Sequence, residues 1–326
     1  MTTVVCELCP RYCAIPDGGA GDCRVRINLD GKLIATTFAR PSSVHIDPME
    51  KKPLFHFLPG TSIFSIATAG CNLHCKNCQN WQLSQHSGEE MDTIFKAPPE
   101  LIVKTAITQS CSSIAYTYSE PLIFYEYVNE TAIIAHHRGL KNVLVTAGYV
   151  NETPLRQLCK NLDAANVDLK AFDDNFYRQV CGATLKPVLD ALVVLRQEEV
   201  WLEITNLIIP GLNDDLSMVR RMATWIRDEL GKDTPLHLSR FSPQYQMRNI
   251  PPTPSEALRR SREEAMNVGL EHVYVGNLPG DDSESTYCPI DGTLLIKRYG
   301  FTIQNYNLLK GGRCPTCKHK ISGVWL

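Results

Sequence analysis

The sequence has no apolar run approaching the roughly eighteen residues of a membrane span, which argues against a helical membrane protein. Its amino end reads Met1-Thr2-Thr3 and reaches Cys6 without the hydrophobic stretch of an export signal, so a cytoplasmic protein is expected. Neither charge is in excess. Against 35 Asp and Glu stand 33 Lys and Arg, a formal charge of −2, so no global basic field draws the chain to nucleic acid. Without an export signal, 13 cysteines argue against a disulfide framework and for metal sites in a reducing compartment. With 326 residues, 44% of them hydrophobic, the chain can bury a large core as one barrel with appendages.

The cysteines fall into three groups and three singles. Cys6, Cys9, Cys13 and Cys23 lie at the start, Cys71, Cys75 and Cys78 form a Cys-x3-Cys-x2-Cys run, and Cys288, Cys314 and Cys317 lie near the end. Three thiolates can hold three irons of a cubane cluster and leave the fourth for substrate, whereas electron-carrying clusters normally have four cysteine ligands. A zinc knuckle is the alternative for this run, although zinc motifs usually come as paired Cys-x2-Cys units. Cys111, Cys159 and Cys181 stand alone in apolar or helical surroundings and read as packing.

Between the outer groups, short β-branched runs alternate with helical periodicity. Strands are expected at Ser62 to Ala67, Ser113 to Tyr118, Asn142 to Thr146, Ala165 to Leu169, Val200 to Ile208, Leu236 to Phe241 and His272 to Val275. Helices are expected at Pro98 to Gln109, Leu122 to Arg138, Pro154 to Asn161, Lys186 to Gln197, Asp214 to Leu230 and Ser255 to Val268, three of them ending before Gly139, Gly231 or Gly269. Only the stretch after Cys78 has no clear element. Repeated strand-then-helix units imply an α/β fold with a parallel sheet, here a partial (β/α)6 TIM-type barrel over 61–280. A Cys-rich segment over 1–60 and a zinc-ribbon-like segment over 281–326 flank it. In such folds, function sits just after each strand.

The octapeptide Cys71-Asn72-Leu73-His74-Cys75-Lys76-Asn77-Cys78, with Gly70 before it and Gln79-Asn80 after, resembles the signature of the radical S-adenosylmethionine (SAM) superfamily. The resemblance implies a 4Fe-4S cluster on Cys71, Cys75 and Cys78, chelation of its free iron by SAM, and reductive cleavage to a 5′-deoxyadenosyl radical that abstracts a substrate hydrogen. Tyr118-Ser119-Glu120-Pro121 is similar to the Gly-Gly-Glu-Pro segment that holds the SAM amino group, with both glycines replaced. By that resemblance Ser119 and Glu120 bind the cofactor; the bland alternative makes Glu120 a helix N-terminal charge. Thr146-Ala147-Gly148-Tyr149 resembles the Thr-Asn-Gly turn of glycyl-radical activating enzymes, which brings in Thr146, although a plain turn explains Gly148 as well. Asp168 and Lys170, two apart and so on one face of a strand, resemble the Asp-x-Lys pair that pyruvate formate-lyase activating enzymes place near SAM; a mutual ion pair at the rim is the alternative. In the sixth strand His237 and Arg240 lie on opposite faces, and both are candidates for SAM. Trp81 stands in for the aromatic that many such loops carry where Asn77 is.

The flanks narrow the resemblance. Cys6-Glu7-Leu8-Cys9-Pro10-Arg11-Tyr12-Cys13, Gly21-Asp22-Cys23-Arg24-Val25-Arg26, Asp47 to Phe57 and Ile321 to Trp325 look like the AmmeMemoRadiSam system radical SAM enzymes. That family implies Memo-type and Ammecr-type system proteins as partners and a flavodoxin or ferredoxin type reductant. Cys6, Cys9, Cys13 and Cys23 complete a four-ligand set for structural zinc, the first choice, or for an auxiliary 4Fe-4S cluster. Cys288, Cys314 and Cys317 form two Cys-Pro knuckles of a ribbon whose fourth cysteine position is Asp291, and a three-cysteine, one-aspartate zinc site is expected, with His319 as an alternative ligand. Three functions follow: a radical SAM enzyme of unidentified substrate, an activase of a glycyl-radical enzyme, or a non-catalytic metal-ribbon binding module.

Overall fold

The computed structural model describes residues 2–91, 96–278 and 280–326. Two small antiparallel hairpins open the chain, β1 (Val4–Val5) with β2 (Ala14–Ile15) and β3 (Arg26–Leu29) with β4 (Lys32–Ala35). The main sheet has eight strands: β5 (Ser43–Pro48), β6 (Ser62–Ala67), β7 (Ser113–Tyr116), β8 (Lys141–Thr146), β9 (Ala164–Asp168), β10 (Trp201–Ile208), β11 (Leu236–Arg240) and β12 (Val273–Gly276). β6 to β12 pair in parallel with their chain neighbours, as expected from the sequence, and β5 joins antiparallel to β6. Among the described residues β5 and β12 are the free edges, so the sheet is open.

The crossovers are α2 (Pro99–Thr108), α3 (Tyr125–His137), α4 (Glu152–Cys159), α6 (Lys186–Gln197), α7 (Leu216–Trp225) and α8 (Ser255–Asn267), with short turns α1 (Trp81–Ser84) and α5 (Asp174–Phe176) between. Local chemistry sets their ends: Pro99 opens α2, and the Asp215 carboxylate accepts from the Met218 amide at the start of α7. Strand residues Ile66, Ile114, Leu144, Val167, Ile204 and Leu238 pack under these helices in the main core. No described helix is long and apolar enough to cross a membrane.

The other face of the sheet is covered at its amino end by an unexpected element. Met49, Leu54 and Phe57 pack on Ile63, Ala115, Val143 and Ala164, so residues 49–58 form a strap across the start of the strands. Its polar backbone is satisfied by strand side chains. Fully buried Glu203 accepts from the Phe55 amide (3.0 Å), the His56 amide (2.8 Å) and Trp201 Nε1 (3.0 Å), and its other neighbour is His237 Nε2 at 2.7 Å. Asn166 donates to the Pro53 carbonyl. β5 and this strap thus draw the chain between Ser43 and Leu58, expected in the Cys-rich segment, into the main sheet.

The carboxyl end forms a three-stranded sheet, β13 (Thr286–Tyr287), β14 (Leu294–Tyr299) and β15 (Thr302–Tyr306), which docks on the strap. Buried Arg298 donates to the Phe55 carbonyl (2.8 Å) and Thr286 Oγ1 (2.7 Å) and lies 3.6 Å from Glu50. His56 bridges Tyr274 Oη and the Ser322 carbonyl, and its ring lies 4.4 Å from that of His272. Burial lowers His272 to about 4, and burial followed by the charge of His272 holds His56 well below its ordinary value. Such histidines take up protons only on unfolding, so the stability they contribute is present above the unfolded value and lost as pH falls through the folded one. Stability is therefore expected to fall as pH drops from about 6.5 to about 4, the window set by His272, with His56 acting in the same direction. Urea midpoints measured across that window check this, and His272→Asn should flatten the slope.

Candidate functional site

The site is built at the opposite, carboxyl end of the strands. After β6 the chain turns through Gly70, whose φ of +92° is open to glycine, into the loop of Cys71, Cys75 and Cys78. The loop is clamped by backbone bonds: the His74 amide donates to Cys181 O (2.8 Å), the Lys76 amide to Val180 O (2.9 Å), and the Gln246 amide to Lys76 O (3.0 Å). Asn72 Nδ2 donates to Tyr149 O. Burial, then the charge of Glu120, holds the Cys71 thiol well above its ordinary value, and burial also raises Cys78. Crowded, desolvated thiols of this kind are stable as thiolates only against bound cations, so the set fits an iron–sulfur cluster.

Glu120, at the end of β7, is the N-cap of the turn Pro121–Phe124, accepting from the Leu122 amide (3.1 Å). It also accepts from Thr146 Oγ1 (2.6 Å) and the Ala147 amide (2.9 Å) after β8. The helix-terminal role weighed for Glu120 is therefore present, and its carboxylate joins the ends of two strands. Burial pushes it up against these three bonds. Ser119 Oγ beside it is buried with no hydrogen-bond partner among the described residues. Tyr118 occupies a glycine-like conformation, φ +64°, in place of a motif glycine. It is held by Asp47, which accepts from the Tyr118 hydroxyl, Ser65 Oγ (2.8 Å), Lys51 (2.8 Å) and Lys52 (2.6 Å), while the Lys52 ammonium lies 4.5 Å from the Tyr118 ring centroid. These bonds offset a backbone cost of about 1 kcal/mol or more.

Asp168 and Lys170 end β9 as an ion pair of 2.6 Å, so the rim salt bridge is formed. Burial opposes the Lys170 charge, but Asp168 and then Cys75 keep it protonated well above its ordinary value. Lys170 also acts on Glu120, so the pair faces the cysteine loop. His237 does not join this group. Packing commits His237 to Glu203 and the Phe55 ring in the amino half of β11, and Arg240 Nε donates to Thr253 O. Trp81 stacks on Tyr245 with centroids 5.1 Å apart.

Cys181 is buried in the main core, as expected, and it also acts on the cysteine loop, depressing the Cys75 thiol. Sequence spacing could not pair residues so far apart. At the carboxyl end, Cys288, Asp291, Cys314 and Cys317 place one ligand atom each within 4.8 Å of one another, the set expected from the two knuckles. Cys6, Cys9, Cys13 and Cys23 line one enclosed pocket walled also by Asn72.

Comparison with known proteins fits this arrangement. Residues 65–223 match the model of the radical SAM superfamily. An uncharacterized protein of Methanocaldococcus jannaschii is 45% identical over 322 residues, covering 98% of this chain and 96% of that one. The pyruvate formate-lyase-activating enzyme of Clostridium pasteurianum is 24% identical over 162 residues, 49% of this chain and 67% of that enzyme. Among solved structures, Streptococcus suis SuiB bound to S-adenosylmethionine shares the fold with a TM-score of 0.52 at 12% identity, covering 74% of this chain and 56% of that one.

Proposed function

From the match of residues 65–223 to the radical SAM superfamily, whose enzymes use a 4Fe-4S cluster and SAM, we propose that the chain generates a 5′-deoxyadenosyl radical to abstract hydrogen from a substrate. What supports the reading is that Glu120, bonded to Thr146, and the Asp168–Lys170 pair, from three strand ends, act on the thiols of the loop of Cys71, Cys75 and Cys78. Cys71, Cys75 and Cys78 would hold the cluster. When bound, cluster and SAM together supply the radical; the chain supplies orientation and exclusion of water. Ser119 Oγ offers the free hydrogen-bonding group, Lys170 a fixed positive charge for a carboxylate, and Asp168 an acceptor for ribose or ammonium. Glu120 positions Ser119 and Thr146 by tying β7 to β8. On this reading the open parallel sheet is the partial barrel of the superfamily.

Anaerobic reconstitution with iron, sulfide and a low-potential reductant should give 5′-deoxyadenosine from SAM; its absence from fully loaded protein would overturn the reading. A narrower activity, activation of a glycyl-radical enzyme, is favoured by the Asp168–Lys170 pair together with the likeness to the Clostridium pasteurianum enzyme. It predicts a glycyl doublet by EPR on a partner protein, and no partner yielding one would sink it. Memo-type and Ammecr-type proteins remain the proposed system partners.

We read Cys288, Asp291, Cys314 and Cys317 as a structural zinc site. Asp291→Ala is expected to weaken zinc retention on the order of a hundredfold, and Asp291→Cys to strengthen it. Competition with a chromogenic chelator measures both. The sheet carrying this site lies on the strap, at the opposite end of the strands from Cys71. That placement supports a structural plug rather than the binding-module reading.

A further inference from the structure

We propose that Cys6, Cys9, Cys13 and Cys23 hold a second iron–sulfur cluster, of the fully ligated electron-carrying kind, lying against the catalytic loop. The inference rests on the radical SAM reading for its role, but the metal assignment stands on its own geometry.

Four thiols with a single zinc at about 2.3 Å stand less than about 4 Å apart. Among the described residues, only the carboxyl-terminal set brings three or more Cys, His or carboxylate ligand atoms within 4.8 Å of one another. The amino-terminal quartet is wider than that, as are Cys71, Cys75 and Cys78. In a cubane each thiolate binds its own iron, so its sulfurs stand farther apart than around one metal ion. Like the cluster loop, the quartet is less compact than the zinc-like site.

The four cysteines nevertheless line a single enclosed pocket. Two turns bring them together: the Tyr12 amide bonds Cys9 O in the first knuckle, and the Gly21 amide bonds Arg26 O around Cys23. Gly21 lies beside this set: a Cβ built there would stand 3.6 Å from the Cys13 sulfur and 3.1 Å from Ile15 Cδ1.

One wall of this pocket is the catalytic loop itself. Arg11, between Cys9 and Cys13, donates from Nε to Asn72 O (2.7 Å) and from its terminal nitrogen to Gly182 O (2.6 Å). Cys9 and Asn72 line the same pocket, and Asn72 is bonded through the chain to Cys71. A single residue therefore separates the two thiol sets. On its other side the quartet approaches solvent, since Cys6 also lines a surface groove with Val5, Leu8, Tyr12, Leu33 and Pro154. With four cysteine ligands no iron is left open for SAM, so the centre is suited to carrying charge. It would accept one electron from a low-potential one-electron carrier protein and pass one electron to the catalytic cluster, with no bond broken and no proton moved. Zinc, which has no redox chemistry, could not do this.

Metal counting and EPR on anaerobically reconstituted protein test the proposal. Wild type should hold about eight irons and about one zinc; about four irons with about two zincs would overturn it. The variant Cys71→Ala, Cys75→Ala, Cys78→Ala should keep about four irons and a reduced-cluster signal that SAM does not shift. Zinc or no iron in that variant, with the protein still folded by circular dichroism, counts against a second cluster. In Cys9→Ser, Cys23→Ser, about four irons should remain with a SAM-sensitive signal. Absence of any SAM-sensitive signal from wild type and this variant alike would sink the radical SAM reading while leaving the iron count of the triple variant to decide the quartet. Fully reduced wild type should show a spin-coupled, broadened spectrum; a plain sum of the two variants' spectra would overturn the relay.

Discussion

Cys75→Ala is expected to lower 5′-deoxyadenosine formation at least about a thousandfold, since removing one of three thiolates destroys the geometry on which the cofactor's chemistry depends. Iron retention should be less affected than activity. Cys181, buried in the turn after α5, acts on the Cys75 thiol and can take up a vacated position, although from outside the loop. The double variant Cys75→Ala, Cys181→Ala should therefore lose about four irons, whereas the single variant keeps part of them without cleaving SAM. Product assay and iron count on the same samples check both statements. Cys181→Ala alone should bind the cluster normally. If it abolished cluster binding, Cys181 would be an obligate ligand and the three-thiol reading would have to be replaced.

Gly70→Ala should produce the second large effect. With φ at +92°, a Cβ at this position would stand 2.7 Å from both Cys23 O and Val25 Cγ1, and 3.0 Å from Ile123 Cδ1. Backbone strain and overpacking each cost about 1 to 3 kcal/mol, and here they act together. The expected outcome is a fall of several degrees in thermal midpoint and loss of iron from the loop, because relief of the clash must move either the loop or the turn carrying Cys23. Gly139→Ala is the control. It also has positive φ, +78°, but nothing lies within 4 Å of the added carbon, so only the conformational cost of about 1 kcal/mol is expected, with iron unchanged. Equal losses in the two variants would show that conformation alone, and not contact with the amino-terminal segment, makes Gly70 necessary.

Local pattern carried most of the sheet. Runs such as Val200 to Ile208, buried on both sides and rich in Leu and β-branched residues, read as parallel strands because such short apolar stretches are covered on both faces. The Cys-Pro knuckles with Asp291 were legible for a similar reason: each supplies its ligands within a few residues. What periodicity could not give was charge paired over long separations. Glu50, Lys52 and His56 make the segment from Asp47 to Phe57 look like a solvated loop, yet all three are buried, each satisfied by a group from another part of the chain or from the adjoining β5. β5 itself is half-exposed and carries Asp47 and Pro48, which weakened its strand signal. His237 shows the same limit. Its strand and alternation were readable, but only the packing reveals that Glu203 already occupies its ring.

The strap has a consequence for the order in which the molecule is completed. Its bonds to Arg298 and Ser322 span 243 and 266 residues of chain. Contacts of such separation close late, after the loop-closure cost has been met, and during synthesis their partners emerge long after the strap itself. The groups around Cys71, by contrast, all come from residues before Tyr245 or from its immediate neighbours. One end of the nascent protein can thus be ready to receive iron while the other still stands open, and the carboxyl-terminal sheet acts as the final closure of a chamber already furnished.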